Sequence, residues 1–377
     1  TDNCYMIGSA AELYGFAEKV NGTDGGFSGC GKLTADIVVN ENVLGTDNAN
    51  VNASGAYTGD DSNFDKWAPI NGFAGKFHGQ GHTISGLYFN DPEKENVGLF
   101  GSVGNVEIDG LGLVDSYFEG SFFVGGFIGF AEDVNVYIRD SYNSSVMRGH
   151  SDGGYQGGVG GFVGALFVCN LEIGNSYNLG FVTGERDAGG FVGYILGDDS
   201  NNYVIFNSYN RGSVISADPD CVGGFVGTAY DEWAWLYVYN SYNAGKVNGG
   251  EGFALMSGGF GPKDVFNFYY LEGSAEGWGL YYEDSKSTPA ADFADGTVAE
   301  ALHDYSGTAE NGTAIDGSVW GQVPGRDAFP TLAGAIGPVL TLHVYGEVKV
   351  DSTYTPGTAL PTPTREGFAF LGWFTDA

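Results

Sequence analysis

A glycine-rich phrase returns six times along the 377-residue chain and constrains its fold more than any other feature. It has forms such as VGGFVG, and its large apolar residue recurs at spacings of 28, 35, 29, 34 and 35 residues, at Leu99, Phe127, Phe162, Phe191, Phe225 and Phe260. A period of this length is typical of solenoids, because each unit buries its apolar face only against its neighbours. The repeat therefore predicts a stack of similar coils.

A second phrase keeps step with the first and indicates strands. It occurs as Asp115-Ser116-Tyr117, Asp140-Ser141-Tyr142-Asn143, Asn175-Ser176-Tyr177-Asn178, Asn207-Ser208-Tyr209-Asn210 and Asn240-Ser241-Tyr242-Asn243. Apolar residues alternate nearby with the period of two that a strand requires. Coils paired in parallel at about 4.8 Å would align these side chains, and stacked amides would bond from coil to coil. The alternative is that each Asn satisfies only its own turn.

These repeats predict an all-β protein, a right-handed parallel β-helix, with the hand taken from the rule for parallel crossovers. The 65 glycines are too many for helix interiors, whereas 15% aromatic residues exclude a collagen or a disordered tail. The formal charge of −32 argues against nucleic acid or anionic lipid as a partner. No apolar run is long enough for a membrane span, so we expect no membrane insertion and a soluble segment.

The ends of the chain differ from the repeats. Ser9 is placed to cap a helix over residues 10–20, which would cover the open first coil. Residues 41–65 have the composition of a long surface loop, and residues 291–305 that of a second short helix. The sequence therefore predicts three domains. They are an N-terminal cap with the helix and first strands at 1–64, the β-helix with its closing segment at 65–337, and a small C-terminal module at 338–377.

The four cysteines separate into two kinds. Cys4 and Cys30 bracket a short N-terminal loop, and we predict a disulfide between them, with two buried thiols as the alternative. Cys169 and Cys221 fall at different offsets in their repeats. We expect both to be unpaired buried thiols.

The recurring GGFVG phrase resembles the GLUG motif repeat of bacterial cell-surface and secreted proteins. The preceding residues 67–70 and 73–87 are similar to the first coil that leads into such repeats. The resemblance implies a β-helix in a surface or extracellular setting. It implies no reaction, since GLUG repeats occur both in adhesins and in accessory segments of secreted peptidases.

The last 39 residues, 339–377, resemble the Listeria-Bacteroides repeat, also called the InlB B-repeat. The phrase Gly367 to Trp373 carries this similarity, which implies a small β-grasp-like module. Because the chain stops soon afterwards, at Ala377, the module would be incomplete. We therefore expect a monomeric segment of a longer surface protein.

Candidate catalytic and metal-binding residues are few. His78 and His82 lie in a strand and turn, where they are too far apart to share a metal ion. The polar candidates on the coils are Asp109, Asp115, Asp140, Glu172 and Arg139. We expect Asp115 and Asp140 to stack in a column that continues as Asn, which favours a structural ladder. The acidic turns at 60–61 and 198–199 match no defined calcium-loop pattern, so we interpret them as solvated turns, with Ca²⁺ binding through their oxygens as the alternative. We predict no catalytic residue, no metal site and no cofactor.

One insertion carries the candidate ligand site. Trp233 and Trp235 share strand parity with Tyr237 and Tyr239, so their rings would face one side of a strand and suit stacking on sugar rings. The alternative is that these rings seal a wider coil or cover one side of the core.

The sequence thus favours a non-enzymatic extracellular adhesion or ligand-presenting segment of a bacterial cell-surface protein. Its partner would be a glycan or a surface protein, bound in part by Trp233, Trp235 and Tyr237. The alternative is a glycan-processing β-helix enzyme or an accessory segment of a secreted peptidase.

Overall fold

The structure, a computed structural model, describes residues 4–23, 27–150, 157–198, 200–230, 235–250, 252–256, 264–275, 285–324, 327–332, 340–344 and 347–351. The chain divides into two compact units, Thr1–Ala335 and Ile336–Ala377. In the second unit the described residues form one antiparallel hairpin, Leu340–Val344 with Glu347–Asp351. The β-grasp-like module predicted there otherwise lies outside the described residues.

The first unit is a parallel β-helix, as predicted. Among the described residues, its main sheet has 23 strands, which are Tyr5–Ile7, Phe27–Leu33, Ile37–Val38, Phe73–His78, Thr83–Ser85, Tyr88–Asn90, Phe100–Asp109, Gly112–Gly120, Ile128–Glu132, Asn135–Arg139, Tyr142–Gly149, Val163–Phe167, Asn170–Gly174, Tyr177–Asn178, Phe181–Gly184, Val192–Leu196, Asn202–Phe206, Tyr209–Asn210, Val214–Ser216, Val226–Ala229, Trp235–Asn243, Asp264–Leu271 and Ser285–Thr288. A four-stranded sheet contains Phe123–Gly125, Gly158–Gly160, Ala188–Gly189 and Val222–Gly223. The stack begins inside the predicted N-terminal cap, because Phe27–Leu33 pairs in parallel with Phe73–His78.

The glycine phrases set the register of the coils. Each residue of one column pairs with the corresponding residue of the next coil, in the order Phe100, Ile128, Val163, Val192 and Val226. These positions reproduce the spacings 28, 35, 29 and 34. The buried rings next to them, Phe127, Phe162, Phe191 and Phe225, lie 4.8 to 5.0 Å apart between centroids. In close parallel packing of this kind a glycine has no room for a side chain: a Cβ at Gly190 would lie 2.1 Å from the Gly224 carbonyl oxygen.

The last member of this column differs from the prediction. Val226 forms a bridge with Met256, 30 residues later, and the Phe225 N–H donates to the Leu255 carbonyl. Leu255 therefore occupies the position predicted for Phe260, which lies outside the described residues. The shorter final coil uses the phrase around Phe253 and Ala254, which lacks the double glycine.

The Ser, Tyr and Asn of the second phrase form three ladders. Each Ser hydroxyl accepts from the backbone N–H of the Ser one coil before it, at 3.0 to 3.3 Å from Ser141 to Ser241. The Tyr rings stack with almost parallel planes, and the buried Asn amides bond to one another at 2.8 to 3.0 Å, through Asn143, Asn178, Asn210 and Asn243. These bonds satisfy buried polar groups and fix the register of the coils.

A further Asx ladder follows a corner of the coils. The side chains bond successively at 2.7 to 3.1 Å, through Asp140, Asn175, Asn207, Asn240 and Asn267. Their φ angles lie between 44° and 52°, a left-handed conformation that Asp and Asn tolerate better than other side chains. Ladder and turn chemistry therefore occur in the same column.

Asp115 lies outside this ladder, which corrects the predicted alignment. The strand register pairs Tyr142 with Gly112, so Gly110 takes the corner position that was predicted for Asp115. Gly110 has a φ of 62° and needs no Asx side chain there. The Asp115 carboxylate instead accepts two backbone N–H bonds, at 3.0 and 2.8 Å, from the loop at 41–65.

The N-terminal helix, Ala10–Asn21, agrees with the prediction. The Ser9 hydroxyl accepts from the Glu12 N–H, and the helix buries Leu13, Phe16, Ala17 and Val20. Phe16 packs on three coil rings, Phe27, Phe73 and Phe77. The predicted disulfide joins Cys4 to Cys30, and the buried Cys169 and Cys221 are free, as expected.

Residues 41–65, called here the strap, pack closely against the outside of the coils, whereas a long surface loop was predicted there. The Tyr57 ring lies 4.9 Å from Tyr88 and 5.2 Å from Tyr117 between centroids. Farther along, the Thr183 hydroxyl donates to the Ser54 carbonyl. The strap therefore spans several coils.

The region predicted as one helix at 291–305 forms two, Ala290–Ala294 and Thr297–His303, separated by Gly296 with a φ of 96°. Two antiparallel pairs follow them, Ser306–Thr308 with Ala314–Asp316 and Trp320–Gly321 with Thr331–Leu332. Short 3-10 turns occur at Thr46–Asn48, Pro219–Cys221, Asn248–Gly250 and Gly317–Val319. Among the described residues, no helix is long and apolar enough to cross a membrane.

Candidate functional site

Two of the residues predicted to bind a ligand, Trp235 and Tyr237, lie on the outer face of strand Trp235–Asn243. Tyr237 is 1% exposed and belongs to a cluster with Tyr239, Ala309 and Ile315, so its ring face is closed to a sugar. Trp235 packs half-buried against the same cluster, and Trp233 lies outside the described residues. The Tyr237 ring therefore lies beneath residues 305–316 in the structure, a segment that the sequence did not place there.

A buried carboxylate anchors the segment that covers these rings. Glu172 is 1% exposed and accepts from Arg139 Nε at 2.6 Å, Asn311 Nδ2 at 2.7 Å and Thr313 Oγ1 at 2.6 Å. Burial among these rings raises the pKa of Tyr237 to about 12. Glu172, which was considered as a catalytic candidate together with Arg139, therefore binds residues 305–316 to the coils, and Arg139 is its ion-pair partner.

One aromatic ring next to this cluster remains exposed. Phe266, 37% exposed, lies on the adjacent strand and stacks on Tyr239 with centroids 5.3 Å apart and planes 5° apart. It borders an open cleft of about 350 Å³ lined by Phe266, Asn267, Lys286, Ala301, Asp304 and Tyr305. We call this the Phe266 cleft. The sequence did not reveal it, because its two sides come from the last coils and from the helix Thr297–His303.

Two of the walls of the Phe266 cleft are held in place by hydrogen bonds. The Asn267 amide donates to Asn240 Oδ1 at 2.7 Å and to the Ala301 carbonyl at 3.0 Å. The exposed Asp304 carboxylate and Lys286 ammonium bring one negative and one positive charge to the cleft. The arrangement has the features of a small-molecule site, an apolar platform with a few polar groups.

A second polar cluster lies on the outer face of the middle coils. Asn90, Glu119, Arg148 and Thr183 occupy one register level on successive strands. The nearly buried Glu119 carboxylate accepts from Arg148, from the Tyr117 hydroxyl and, at 2.7 Å, from His150 Nε2. Glu185 lies 3.7 Å from the other nitrogen of His150. The cluster was missed because no short motif joins residues from three coils.

Burial opposes the ionisation of Glu119, but the hydrogen bonds from Tyr117 and His150 and the charge of Arg148 outweigh it, so the pKa of Glu119 is lowered. The space beside His150, which Phe122, Glu185 and Arg186 help to line, has no room for a water molecule. Among the described residues, these charged groups therefore meet beside a pocket too narrow for a water molecule.

The remaining candidates have structural partners. Asp109 lies 2.5 Å from His78 Nδ1, and Asp61 pairs with Lys66. Among the described residues, the donors close enough to share a metal ion are Cys4, Cys30 and His78. Both sulfur atoms are in the disulfide, so they are not thiolate ligands. Asp198 accepts from Ser200, and residue 199 lies outside the described residues.

Comparison with known proteins gives information about the fold alone. No protein-family model matches the chain. No curated protein matches it either. A solved structure, a candidate immunoglobulin A1 protease from Bacteroides ovatus, is similar with a TM-score of 0.56 and 17% identity, covering 83% of this chain and 92% of that chain. At this identity the similarity concerns the architecture.

Proposed function

We propose that this chain is a non-enzymatic, ligand-presenting segment of a bacterial cell-surface or secreted protein, and that it binds glycan. The observation that carries the proposal is the Phe266 cleft, where an exposed ring at the end of a stacked aromatic row meets polar groups of both signs. Aromatic faces with nearby hydrogen-bonding groups suit sugar rings. The stacked coils hold this site rigid.

An extracellular setting is supported by the Cys4–Cys30 disulfide, since such bonds persist in oxidising compartments. The GLUG-like and InlB B-repeat-like phrases support a surface protein. The neighbouring candidate protease suits an accessory segment of a secreted peptidase equally well. In either protein the β-helix acts passively, by presenting a binding face.

The alternative, a glycan-processing enzyme, is favoured by one observation. Glu119, His150 and Glu185 place two carboxylates on either side of an imidazole, and paired carboxylates perform glycoside hydrolysis. The absence of space for a water molecule beside them weighs against it.

A glycan array combined with a reducing-sugar assay separates the two functions. The full chain is expected to retain glycans without releasing reducing sugar, and Glu119→Gln is expected to retain them equally. Sugar release by the wild type that Glu119→Gln abolishes would replace the binding function with the enzyme.

A further inference from the structure

The Phe266 ring is a preformed platform. Its neighbour Tyr239 is 5% exposed and lies parallel to it, and Tyr237 stacks next in the row with planes 7° apart. Such a supported ring loses little conformational freedom when a ligand covers its exposed face. The face is therefore suited to a flat, weakly apolar surface, such as the C–H face of a pyranose ring.

The polar groups beside the platform match a pair of neutral hydroxyls. The Asp304 carboxylate, whose Oδ1 atom lies 3.2 Å from His303 Nδ1, only accepts hydrogen bonds, and the Lys286 ammonium only donates them. Lys286 Nζ is also held 5.4 Å from the centroid of the Tyr269 ring, within range of a cation–π contact. A hydroxyl both donates and accepts, so adjacent hydroxyls of one sugar satisfy both residues.

The negative charge of the chain favours the binding of neutral sugars over acidic ones. A uronic or sialic acid would bring its carboxylate towards Asp304 in a protein whose formal charge is −32. A single Lys286 offsets only part of that repulsion. A neutral sugar carries no such cost.

We propose that the Phe266 cleft binds a neutral pyranose, with the sugar ring stacked on Phe266 and adjacent hydroxyls bonded to Asp304 and Lys286. This inference rests on the proposed glycan-binding function and names its ligand class. A cleft of about 350 Å³ lies near the lower end of the range for small-molecule sites, about 300 to 1,000 Å³. It therefore suits one or two sugar units.

The test uses the full chain and matched sugars. Methyl galactoside and the methyl glycoside of galacturonic acid, which keeps its free carboxylate, differ only at the sixth carbon. Their binding is followed by saturation-transfer NMR and by competition with a glycan retained on the array. The neutral sugar is expected to bind at least fivefold more tightly. Phe266→Ala is expected to weaken its binding at least fivefold, whereas Phe266→Tyr retains it.

Two variants complete the experiment. Tyr137→Ala removes an exposed ring, 39% accessible, on another outer strand and is expected to leave binding unchanged. Asp304→Asn is expected to narrow the preference for the neutral sugar. Equal binding of both sugars, or neutral binding untouched by Phe266→Ala, would overturn the inference and leave glycan binding in place. No retention of any glycan by the wild type would overturn the proposed function as well.

Discussion

Asp187 provides a stability test whose sign and size follow from its surroundings. The residue precedes the fourth glycine phrase, is 1% exposed, and its Oδ2 atom is buried without a hydrogen-bond partner. Burial raises the pKa of Asp187 to about 6, although the nearby Thr228 hydroxyl and the charge of the neighbouring Arg186 partly oppose this. Asp187→Asn keeps the side-chain shape, tolerates the local φ of 46° and removes the charge.

The gap between a pKa of about 6 and the ordinary 3.8 corresponds to about 3 kcal/mol at 1.36 kcal/mol for each pKa unit. Between these values the unfolded chain ionises Asp187 while the folded chain keeps it protonated. Stability therefore falls as pH rises through this window and stays lower above it. Asp187→Asn should stabilise the fold by about 3 kcal/mol at pH 7 and by about half of that at pH 5.

Urea unfolding at both pH values measures this difference. Asp220→Asn, which removes an exposed charge nearby, controls for the change in net charge and should shift stability by less than about 0.5 kcal/mol. A destabilised Asp187→Asn variant at pH 7, or a gain that does not shrink at pH 5, would show that the Asp187 carboxylate is stabilised in the fold.

Three further predictions concern the contacts that join the coils. Asn210→Ala removes one amide from the buried ladder and leaves its partners unsatisfied, so unfolding in urea should show a loss of about 2 to 4 kcal/mol. In Glu172→Gln, the new NH₂ group faces a hydrogen-bond donor whichever way the side-chain amide is turned. Hydrogen exchange of the backbone amides should therefore accelerate in residues 306–316, while the coils stay protected. Replacing Cys4 and Cys30 by Ser should lower stability by about 3 to 4 kcal/mol relative to the oxidised wild type.

Each of these has a control. Asn63→Ala, at an exposed Asn of the strap, should change stability by less than about 0.5 kcal/mol. An equal loss from Asn63→Ala and Asn210→Ala would mean that the ladder adds nothing. Unchanged exchange in Glu172→Gln would show that other contacts hold residues 306–316. A Cys-to-Ser variant as stable as the oxidised wild type would remove the disulfide from the account.

The repeat was readable from sequence because the glycine phrase carries a physical requirement. Only Gly fits where backbones of neighbouring coils nearly touch, so a column such as Gly161, Gly190 and Gly224 recurs with the period of the coils. The predicted alignment of the coils was wrong at the two positions where a coil departs from the repeated phrases. Gly110 replaced an Asx at one corner, and Leu255 replaced a Phe in the last coil.

The candidate site was harder to predict because it depends on contacts between distant segments. Strand parity correctly placed Trp235 and Tyr237 on one outer face, yet parity does not tell whether another segment covers that face. The covering residues lie more than 60 positions later and are anchored by Glu172, a contact that no local pattern announces. Phe266 stays accessible because that cover ends beside it.

Hydrogen–deuterium exchange of the full chain with a saturating retained glycan tests the central claim most directly. Protection is expected at the Phe266 cleft, in the peptides containing Phe266, Lys286 and Ala301 to Tyr305, and it should vanish in Phe266→Ala. Protection confined instead to the strands carrying Glu119 and His150, with reducing sugar appearing in solution, would contradict a passive glycan-presenting β-helix.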